Sequence, residues 1–539
     1  MSLLPASPSL AAIIALARAG ALDNAWSLLS SGGFERDPTE PAVLALKGRL
    51  LKDFALRSHP PERQRFYRDS AAAYAASAAL EPASYPLINA ATLSFLGGEP
   101  DRARELAADV LKLIEANPDE PETPYYRAAT GAEALLLLDC HDEARATFAE
   151  ALALAPRAWE EHASTLRQFA LILAAQDRDS AWLDAHRPPR SLHFGGHMSF
   201  DPKVVRREHL DEKIAAVLEE ENVGFGFGAL AAGADIIIAE ALLKRGAELH
   251  AVLPGGAEAF AAISVDPFGK AWRKRFESVL ERAETVRPVR PLGARPDGAM
   301  IGLADEVAMG AALMNGRRLE SSAVQLLVLD CAQEANGTSG RSREIWAAGG
   351  RRQRILTAPR ETRDEPSAAE AGPEPLAVLA VGVAAGQAFE PALAALQGRI
   401  AGLSAPALPP YVSEDRLILA WPGPGEAAEA AIRLLGAGPE GLRIGGQYGP
   451  APTFRDPFAG AVRLAPAATA AAAAALASAP PGTAVVTDDF AAALAAAGPH
   501  RPASEYIGEL DPPDAGPPVG LYALKSYDQL FQPLGGDDG

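Results

Sequence analysis

The run NVGFGFGALAAGADIIIAEALLKRGAELHAVLP, residues 222–254, carries the strongest structural signal in the middle of this 539-residue chain. It predicts a strand that ends in glycines, a helix over Ala234–Arg245, and a second strand that ends at Pro254. A strand, a helix and a strand in this order favour a parallel pair joined by a crossover helix. A glycine-rich turn before the helix is typical of a place where the backbone approaches a ligand closely.

The same alternation continues on both sides of this run. Further strands are predicted at RSLHFGGHM (190–198), AVQLLVLD (323–330) and RQRILTAP (352–359), and a helical stretch runs through Trp272 to Ala283. Strands that alternate with helices predict a Rossmann-like α/β domain over 188–359, with a parallel sheet and helices on both faces.

Ligands of open parallel sheets lie beyond the carboxyl ends of the strands, and three such ends carry candidate ligand-binding residues. They are Gly195, Gly196 and His197; Gly224, Gly226, Gly228, Gly233 and Asp235; and Asp330, Asn336, Gly337, Thr338 and Ser339. Glycines let backbone N–H groups approach a phosphate, and the helix that starts after Gly233 adds a favourable dipole. The alternative is that the glycines only allow a helix to pack tightly on the sheet.

Several of these residues have a second interpretation. His197 is a candidate phosphate contact or a histidine that is hydrogen-bonded at a strand end. Asp235 is a candidate ligand contact or a helix cap. Glu240 is a solvated or core-edge carboxylate. The residues Asp266, Trp272, Arg273 and Arg275 after the third strand are phosphate contacts or, preferably, a solvated helix face.

The glycine spacing in GFGFG departs from the dinucleotide fingerprint, so a hydride-transfer cofactor is disfavoured. A strand ending in GGH, followed by the run 222–254, resembles the SLOG superfamily, whose Rossmann-like domains are related to the LOG and DprA proteins. The resemblance covers Arg190–Pro359. It implies binding of a nucleotide or of a nucleotide-derived second messenger. The run NGTSG at Asn336–Gly340 matches the phosphate loop of the hydrolytic relatives only loosely, so binding is implied more than hydrolysis.

The first part of the chain, 1–187, is predicted to be helical throughout. Apolar residues recur at helical spacing in five runs, Leu10–Ala19, Ala42–Leu56, Ala71–Leu80, Ala103–Ile114 and Ala144–Leu154. The runs GALDNAW, GEPDRAR and DCHDEAR share a turn, an acidic residue and an alanine that starts a helix. This pattern resembles tetratricopeptide repeats, and an irregular helical bundle is the alternative. The resemblance implies a concave surface that binds a protein partner.

A linker over 360–375, a third domain over 376–527 and a disordered tail over 528–539 complete the predicted organisation. The third domain contains LRIGGQYGPA (442–451), AVVTDDFAAAL (484–494) and GLYALKS (520–526), and the stretch TAVVTDDF (483–490) is predicted as one of its strands. These runs resemble class III adenylate and guanylate cyclases, which implies an α+β, ferredoxin-like fold. Such domains usually dimerise, so the resemblance also implies a homodimer, or a heterodimer whose partner supplies missing groups.

The residue matches imply that this cyclase-like domain is inactive. Class III cyclases use two aspartates to hold two metal ions, and here the first is replaced by Val381 while the second survives as Asp415 without its glycines. The positions of the family's transition-state Asn and Arg hold Arg463 and Ala467. Single electrostatic stabilisers contribute roughly 10²–10³ in rate, so these losses imply a pseudo-cyclase without catalytic residues or a metal site.

Composition limits the partners. The formal net charge is −19 and the pI ≈ 5.0, and an acidic surface repels phosphate backbones, so no nucleic-acid partner is expected. Cys140 and Cys331 predict neither a disulfide framework nor a cysteine metal site, which favours a cytoplasmic location. Met1–Leu16 is interpreted as a first helix rather than a signal peptide. The alanine-rich run 465–479 is too weakly hydrophobic to span a membrane, so no membrane partner is expected.

Three hypotheses follow. The preferred one is a signalling or scaffold protein that binds a nucleotide-derived ligand in the Rossmann-like domain and protein partners through the helical repeat. The combination of a helical repeat, a SLOG-like domain and a cyclase-like domain resembles a bacterial group of cyclase-linked proteins. This resemblance implies a role in cyclic-nucleotide signalling. The second is an enzyme, either a cyclase completed by a partner or a nucleotide hydrolase in the middle domain. The third is a structural adaptor with an empty pocket. The sequence leaves the identity of the ligand open.

Overall fold

The computed structural model describes residues 9–31, 34, 40–198, 209–289, 295–330, 338–359, 372–498, 502–511 and 517–526. The chain divides into two compact units with the bounds Met1–Pro188 and Pro189–Tyr527. The first is helical, and the second holds two separate sheets. None of the helices within the described ranges is long and apolar enough to cross a membrane.

The described part of the first unit contains nine α-helices followed by a short 3₁₀ helix, Ala181–His186. The α-helices are α1 (Leu10–Arg18), α2 (Leu22–Ser31), α3 (Pro41–Arg57), α4 (Glu62–Leu80), α5 (Ser84–Leu96), α6 (Pro100–Ala116), α7 (Pro124–Leu137), α8 (His141–Leu154) and α9 (Trp159–Ala175). The prediction of an all-helical region is confirmed, although three of these helices (α5, α7 and α9) were not predicted individually.

Small residues let these helices approach one another closely. The three alanines that mark the repeated pattern, Ala25, Ala103 and Ala144, are all completely buried. Between α8 and α9 the rings of Phe148 and Phe169 lie 5.0 Å apart, and both side chains are fully buried. Apolar burial of this kind, rather than helix propensity, supplies most of the stability of such a stack.

The second unit begins with a six-stranded sheet in which every neighbouring pair is parallel. Its strands are β1 (Arg190–Gly196), β2 (Val223–Gly228), β3 (Glu248–Pro254), β4 (Thr285–Val289), β5 (Ala323–Leu329) and β6 (Gln353–Thr357), in the order β4-β3-β2-β1-β5-β6. Its helices are α10 (Leu210–Glu220), α11 (Ala234–Arg245), α12 (Ala257–Ser264), α13 (Lys270–Glu281), α14 (Gly298–Arg318) and α15 (Thr338–Ala348). The predicted α/β class with a parallel sheet is confirmed.

One strand of this sheet was not predicted. Strand β4 follows directly on α13 and contains Pro288, which argues against a strand in the sequence. The structure explains the exception, because β4 is the edge strand and pairs on one side only, with β3. A missing backbone N–H is tolerated at such an edge.

The second sheet of this unit has seven strands in the order β14-β15-β13-β10-β7-β9-β8. They are β7 (Pro375–Val383), β8 (Tyr411–Ser413), β9 (Arg416–Trp421), β10 (Leu442–Pro450), β13 (Ala484–Thr487), β14 (Ala503–Leu510) and β15 (Val519–Lys525), with β11 (Thr453–Arg455) and β12 (Val462–Leu464) forming a separate ribbon. The helices are α16 (Phe389–Ile400), α17 (Pro424–Ala437), α18 (Ala470–Ser478) and α19 (Asp488–Ala497). Most of its pairs are antiparallel, so the predicted α+β class is confirmed.

Helix α19 differs from the prediction and joins the two sheets. The sequence TAVVTDDF was predicted as one strand, but the strand ends at Thr487 and the helix begins at Asp488. A Cβ atom on Gly310 of α14 would lie 1.8 Å from the carbonyl oxygen of Ala492, so the glycine lets the two helices touch backbone to backbone. Beside this contact Met309, Trp346 and Ala496 form one buried cluster, which we call the shared cluster.

The predicted tail 528–539 and the predicted linker up to residue 371 lie outside the described residues, as does Cys331. Strand β7 begins at Pro375, the last residue of the predicted linker. The boundary that separates the two sheets into different domains remains a prediction, because both sheets belong to one compact unit.

Candidate ligand site

The order of the six-stranded sheet reverses at β1, which has β2 on one side and β5 on the other. Such a reversal opens a crevice beyond the carboxyl ends of the two strands, where α/β proteins commonly bind ligands. Gly195 and Gly196 end β1, and His197 follows them. The first group of predicted residues therefore lies at the switch point of the sheet.

His197 holds three segments together at this edge. Its backbone N–H donates to the carbonyl of Val328 at 3.1 Å, and its own carbonyl accepts from the N–H of Ala234 at 3.0 Å. Its ring Nε2 accepts from the backbone N–H of Asp330. The bonds fix the ends of β1 and β5 and the start of α11, so they support the interpretation of His197 as a histidine hydrogen-bonded at a strand end.

Tight packing accounts for most of the predicted glycines. A Cβ atom would lie 2.3 Å from the side chain of Leu242 if placed on Gly226, and 2.6 Å from the carbonyl of Phe194 if placed on Gly228. On Gly224 it would meet Pro189 at 2.5 Å, and on Gly196 the carbonyl of Val328 at 2.4 Å. Gly195 differs from these, because its Cβ would meet only the side chain of Leu327, at an ordinary 3.7 Å.

Asp235 is a buried carboxyl group in the first turn of α11. The turn before it depends on Gly233, whose φ of +127° strongly favours glycine. One carboxyl oxygen accepts from the backbone N–H of Ala231 at 3.1 Å, so the side chain closes the turn from within. Burial raises the pKa of Asp235 to about 8, and repulsion from Asp305 adds to this effect.

The third group is described only in part. Thr338 and Ser339 begin α15, whereas Asn336 and Gly337 lie outside the described residues. The basic residues after β3 are occupied elsewhere, because Arg275 forms two bonds to Glu240, at 2.8 and 2.6 Å, and stacks on Trp272 at 4.2 Å. Arg273 likewise binds Glu258, Asp266 and Glu277. The interpretation of a solvated helix face holds for Arg273 and Arg275, whereas Trp272 is buried in the core of the domain, where an indole ring packs against apolar side chains.

The structure also reveals a polar network that sequence reasoning missed. On the face of β1 toward α14, the fully buried His193 places its Nε2 3.1 Å from Oδ1 of Asp305 and its Nδ1 3.0 Å from Nε2 of Gln325. The amide of Gln325 also donates to Oγ of Ser342 at 3.0 Å, and its carbonyl oxygen accepts from Gln353. A signal was present, because His193 and Gln325 are polar residues inside otherwise apolar strands, and buried polar groups need partners.

A second polar group on α14 faces the other sheet. Glu306 follows Asp305 directly; one of its oxygens pairs with Arg341 and the other accepts from the hydroxyl of Tyr448, on β10, at 3.2 Å. Burial raises the pKa of Glu306 and that of Tyr448. Adjacent residues of one helix thus contact His193 in the six-stranded sheet and Tyr448 in the seven-stranded sheet.

The residues matched to the cyclase metal site lie at one end of β7 and β9. Val381 is fully buried and pairs with Leu417, while Asp415 stands in the hairpin turn before it with 83% of its side chain exposed. Arg463 lies on the β11–β12 ribbon, where it pairs with Asp456 at 2.9 Å and stacks on Tyr411. Among the described residues, no group of three or more His, Cys, Asp and Glu side chains is placed to hold a metal ion.

Comparison with known proteins supports the helical repeat most directly. The family model described as Tetratricopeptide Repeats-Sensor matches residues 10–94, which confirms the predicted resemblance for that part of the chain. No curated protein matches the sequence.

The solved structures that a structural comparison matches to parts of this chain include nucleotide cyclases. An adenylate cyclase from Trypanosoma brucei in its monomeric state is 13% identical, with 28% of this chain and 87% of that chain covered and a TM-score of 0.23. The adenylyl cyclase CyaB from P. aeruginosa is 12% identical, with 28% and 93% covered and a TM-score of 0.23. A mutant O-GlcNAc transferase from Thermobaculum terrenum is 14% identical, with 59% and 76% covered and a TM-score of 0.15. At such identities and scores these likenesses say nothing about function.

Proposed function

We propose that this chain is an intracellular signalling or scaffold protein that binds a nucleotide-derived ligand at the carboxyl edge of the six-stranded sheet. The observation that carries the proposal is the convergence of Gly195, His197, Asp235 and Asp330 at the switch point. They come from three separate segments, and Gly195 differs from the tightly packed glycines because an added Cβ would meet only the side chain of Leu327, at 3.7 Å. The resemblance to SLOG domains supports a nucleotide as the ligand class.

Ligand binding can be tested by thermal unfolding of the full chain with ATP, GTP, NAD, cyclic AMP and cyclic GMP. A ligand at about 100 times its Kd adds roughly 2.7 kcal/mol of stability to the unit that binds it. We expect at least one of these nucleotides to raise the Tm of the second unit. No shift with any of them would refute the proposal and favour a structural adaptor.

A blocking variant locates the site. Gly195→Val adds a side chain at the strand end without a close contact at Cβ, so we expect folding to persist and the nucleotide shift to disappear. The matched control is Gly449→Val, also at a strand position with open space around the added Cβ but on the seven-stranded sheet. If the nucleotide shift survives in Gly195→Val, the ligand binds elsewhere.

We also propose that the cyclase-like part is inactive. Replacement of a metal-binding aspartate by Val381, which is completely buried, leaves Asp415 without the carboxylate that its role in a cyclase would require. The expected result is no cyclic AMP or cyclic GMP from ATP or GTP with Mg²⁺ or Mn²⁺. Product above that of a heat-denatured sample would refute this part and support the alternative, an enzyme.

The helical repeat indicates a role in protein interaction, and exposed aromatic residues support a partner site on it. Tyr85 and Tyr126 lie in the first turns of the neighbouring helices α5 and α7 and are 51% and 38% exposed. Tyrosine is enriched in protein interfaces relative to the rest of the surface. A photo-crosslinking residue at position 126 should capture a specific protein in cells, and one at the exposed Glu105 should not.

A homodimer through the cyclase-like part is the last element of the proposal. Phe458, at the tip of the β11–β12 ribbon, is 99% exposed, and Asp456 fixes the turn by accepting from two backbone N–H groups. A rigid, exposed phenylalanine is suited to a pocket on a second copy. Phe458→Ser should shift sedimentation from dimer to monomer, and a wild-type monomer would refute the dimer.

A further inference from the structure

Asp305 is a carboxylate whose position is fixed from one side only. Its Oδ1 lies 3.1 Å from Nε2 of His193, and its side chain is 21% exposed although His193 is completely buried. Within the described ranges its other oxygen, Oδ2, forms no hydrogen bond, and no lysine or arginine pairs with it. One oxygen is therefore anchored and the other is open to a ligand.

The anchor is a directed chain of hydrogen bonds. Gln353 donates to the carbonyl oxygen of Gln325, whose amide then donates to Nδ1 of His193. Because Nδ1 accepts, the proton of the neutral ring lies on Nε2 and is donated to Asp305. Gln325 and His193 are both fully buried, and such chains strengthen each bond and hold the last group in one orientation.

The contact with His193 places Asp305 next to the candidate ligand edge. His193 lies on β1 two residues before Gly195, and alternate residues of a strand share a face, so both lie on the side of the sheet that α14 covers. Asp235, in the turn that follows the carboxyl end of β2, is close enough for its carboxyl group to be repelled by that of Asp305. The oxygens of a carboxylate repel phosphate and accept hydrogen bonds from hydroxyl groups.

We infer that Asp305 binds the ribose hydroxyls of the nucleotide-derived ligand, and that His193 and Gln325 position it for this contact. One carboxylate can accept hydrogen bonds from both the 2′ and the 3′ hydroxyl of a ribose, because its oxygens carry several acceptor sites. The inference rests on the proposed function, since it names the residue that distinguishes a ribonucleotide from its deoxy analogue at that site.

The test compares binding of ATP and GTP with binding of their 2′-deoxy and 3′-deoxy counterparts, by calorimetry on the full chain. A hydrogen bond to a charged group distinguishes the two sugars by about tenfold or more in Kd. We expect the wild-type protein to prefer at least one ribonucleotide by that factor. Asp305→Asn, which keeps the shape and the bond from His193, should lower the preference to about one.

Two further variants separate positioning from folding. His193→Gln should reduce the ratio of ribose to deoxyribose affinity, whereas general damage to the fold would weaken both sugars alike. The control Asp415→Asn makes the same chemical change at an exposed turn of the other sheet and should keep the full preference.

The outcomes distinguish this inference from the proposed function. Equal affinity of the wild-type protein for both sugars, or a preference that survives in Asp305→Asn, overturns the inference while nucleotide binding stands. Failure of both ATP and GTP to bind also overturns it, and the wider nucleotide panel then decides the proposed function. A preference lost in Asp305→Asn and kept in Asp415→Asn supports it.

Discussion

Asp235 makes the stability of the second unit depend on pH in a direction that follows from its burial. The carboxyl group is 7% exposed, and its pKa is raised from 3.8 to about 8, chiefly by desolvation. Between these two values the folded protein keeps a proton that the unfolded chain has lost, so stability falls as the pH rises from about 4 to about 8. An amide cannot ionise, so Asp235→Asn should escape this loss.

The size of the effect can be worked out from the shift. Each pH unit inside this window changes the free energy of unfolding of the wild-type protein by about 1.4 kcal/mol. Between pH 5 and pH 7 the advantage of Asp235→Asn should therefore grow by about 3 kcal/mol. The amide oxygen can still accept from the N–H of Ala231, now at 3.1 Å, so the turn itself should persist.

The assay is hydrogen exchange in increasing urea, followed by mass spectrometry on peptides from β2 and α11 of the full chain. These peptides report the second unit without a contribution from the helical one. The pair of proteins at pH 5 serves as the control for any effect of the amide that is independent of ionisation. An advantage that stays constant or shrinks as the pH rises would show that Asp235 is already ionised in the folded protein.

Three further substitutions test the packing. Gly310→Val would drive a side chain into the carbonyl of Ala492 and should cost more than about 3 kcal/mol in urea unfolding; an unchanged midpoint would mean that the two helices are not in contact. Tyr448→Phe removes the hydroxyl that donates to Glu306 and should cost about 1–3 kcal/mol, and a loss below 0.5 kcal/mol would argue against that bond. Phe148→Ala should lower the free energy of unfolding of the helical unit by about 3–5 kcal/mol and leave that of the second unit unchanged, as measured by hydrogen exchange. Equal losses in both units would contradict this expectation.

The parts of the fold that were predictable from sequence have a local signature. The strand and turn of Val223–Gly228, and the helix that begins at Ala234, follow from apolar runs and glycine within one short window. Strand β4 was not predicted because Pro288 disfavours a strand unless the strand lies at the edge of a sheet. Whether a strand lies at an edge is known only from the assembled sheet. Helix α19 did carry a local signal that the prediction left unused, because Thr487 is a typical N-cap residue and Asp488 and Asp489 are acidic residues in the first turn.

The candidate site was predictable only where chain neighbours form it. The glycines and His197 adjoin strands, but their roles as packing residues depend on what lies across the sheet, such as Leu242 opposite Gly226. His193 and Asp305 are 112 positions apart, and no spacing rule connects them. Their contact exists because the crossover to β5 lays α14 across β1.

The shared cluster has a practical consequence for anyone who divides this protein. Met309 and Trp346 belong to helices of the first sheet, Ala496 belongs to a helix of the second, and all three are buried together. A fragment cut in the segment between β6 and β7 would expose an indole ring and a thioether to water on one half, and an alanine-rich helix on the other. Such halves should precipitate or adhere to chaperones, so a failure of the isolated half to bind nucleotide would report lost solubility rather than a missing site.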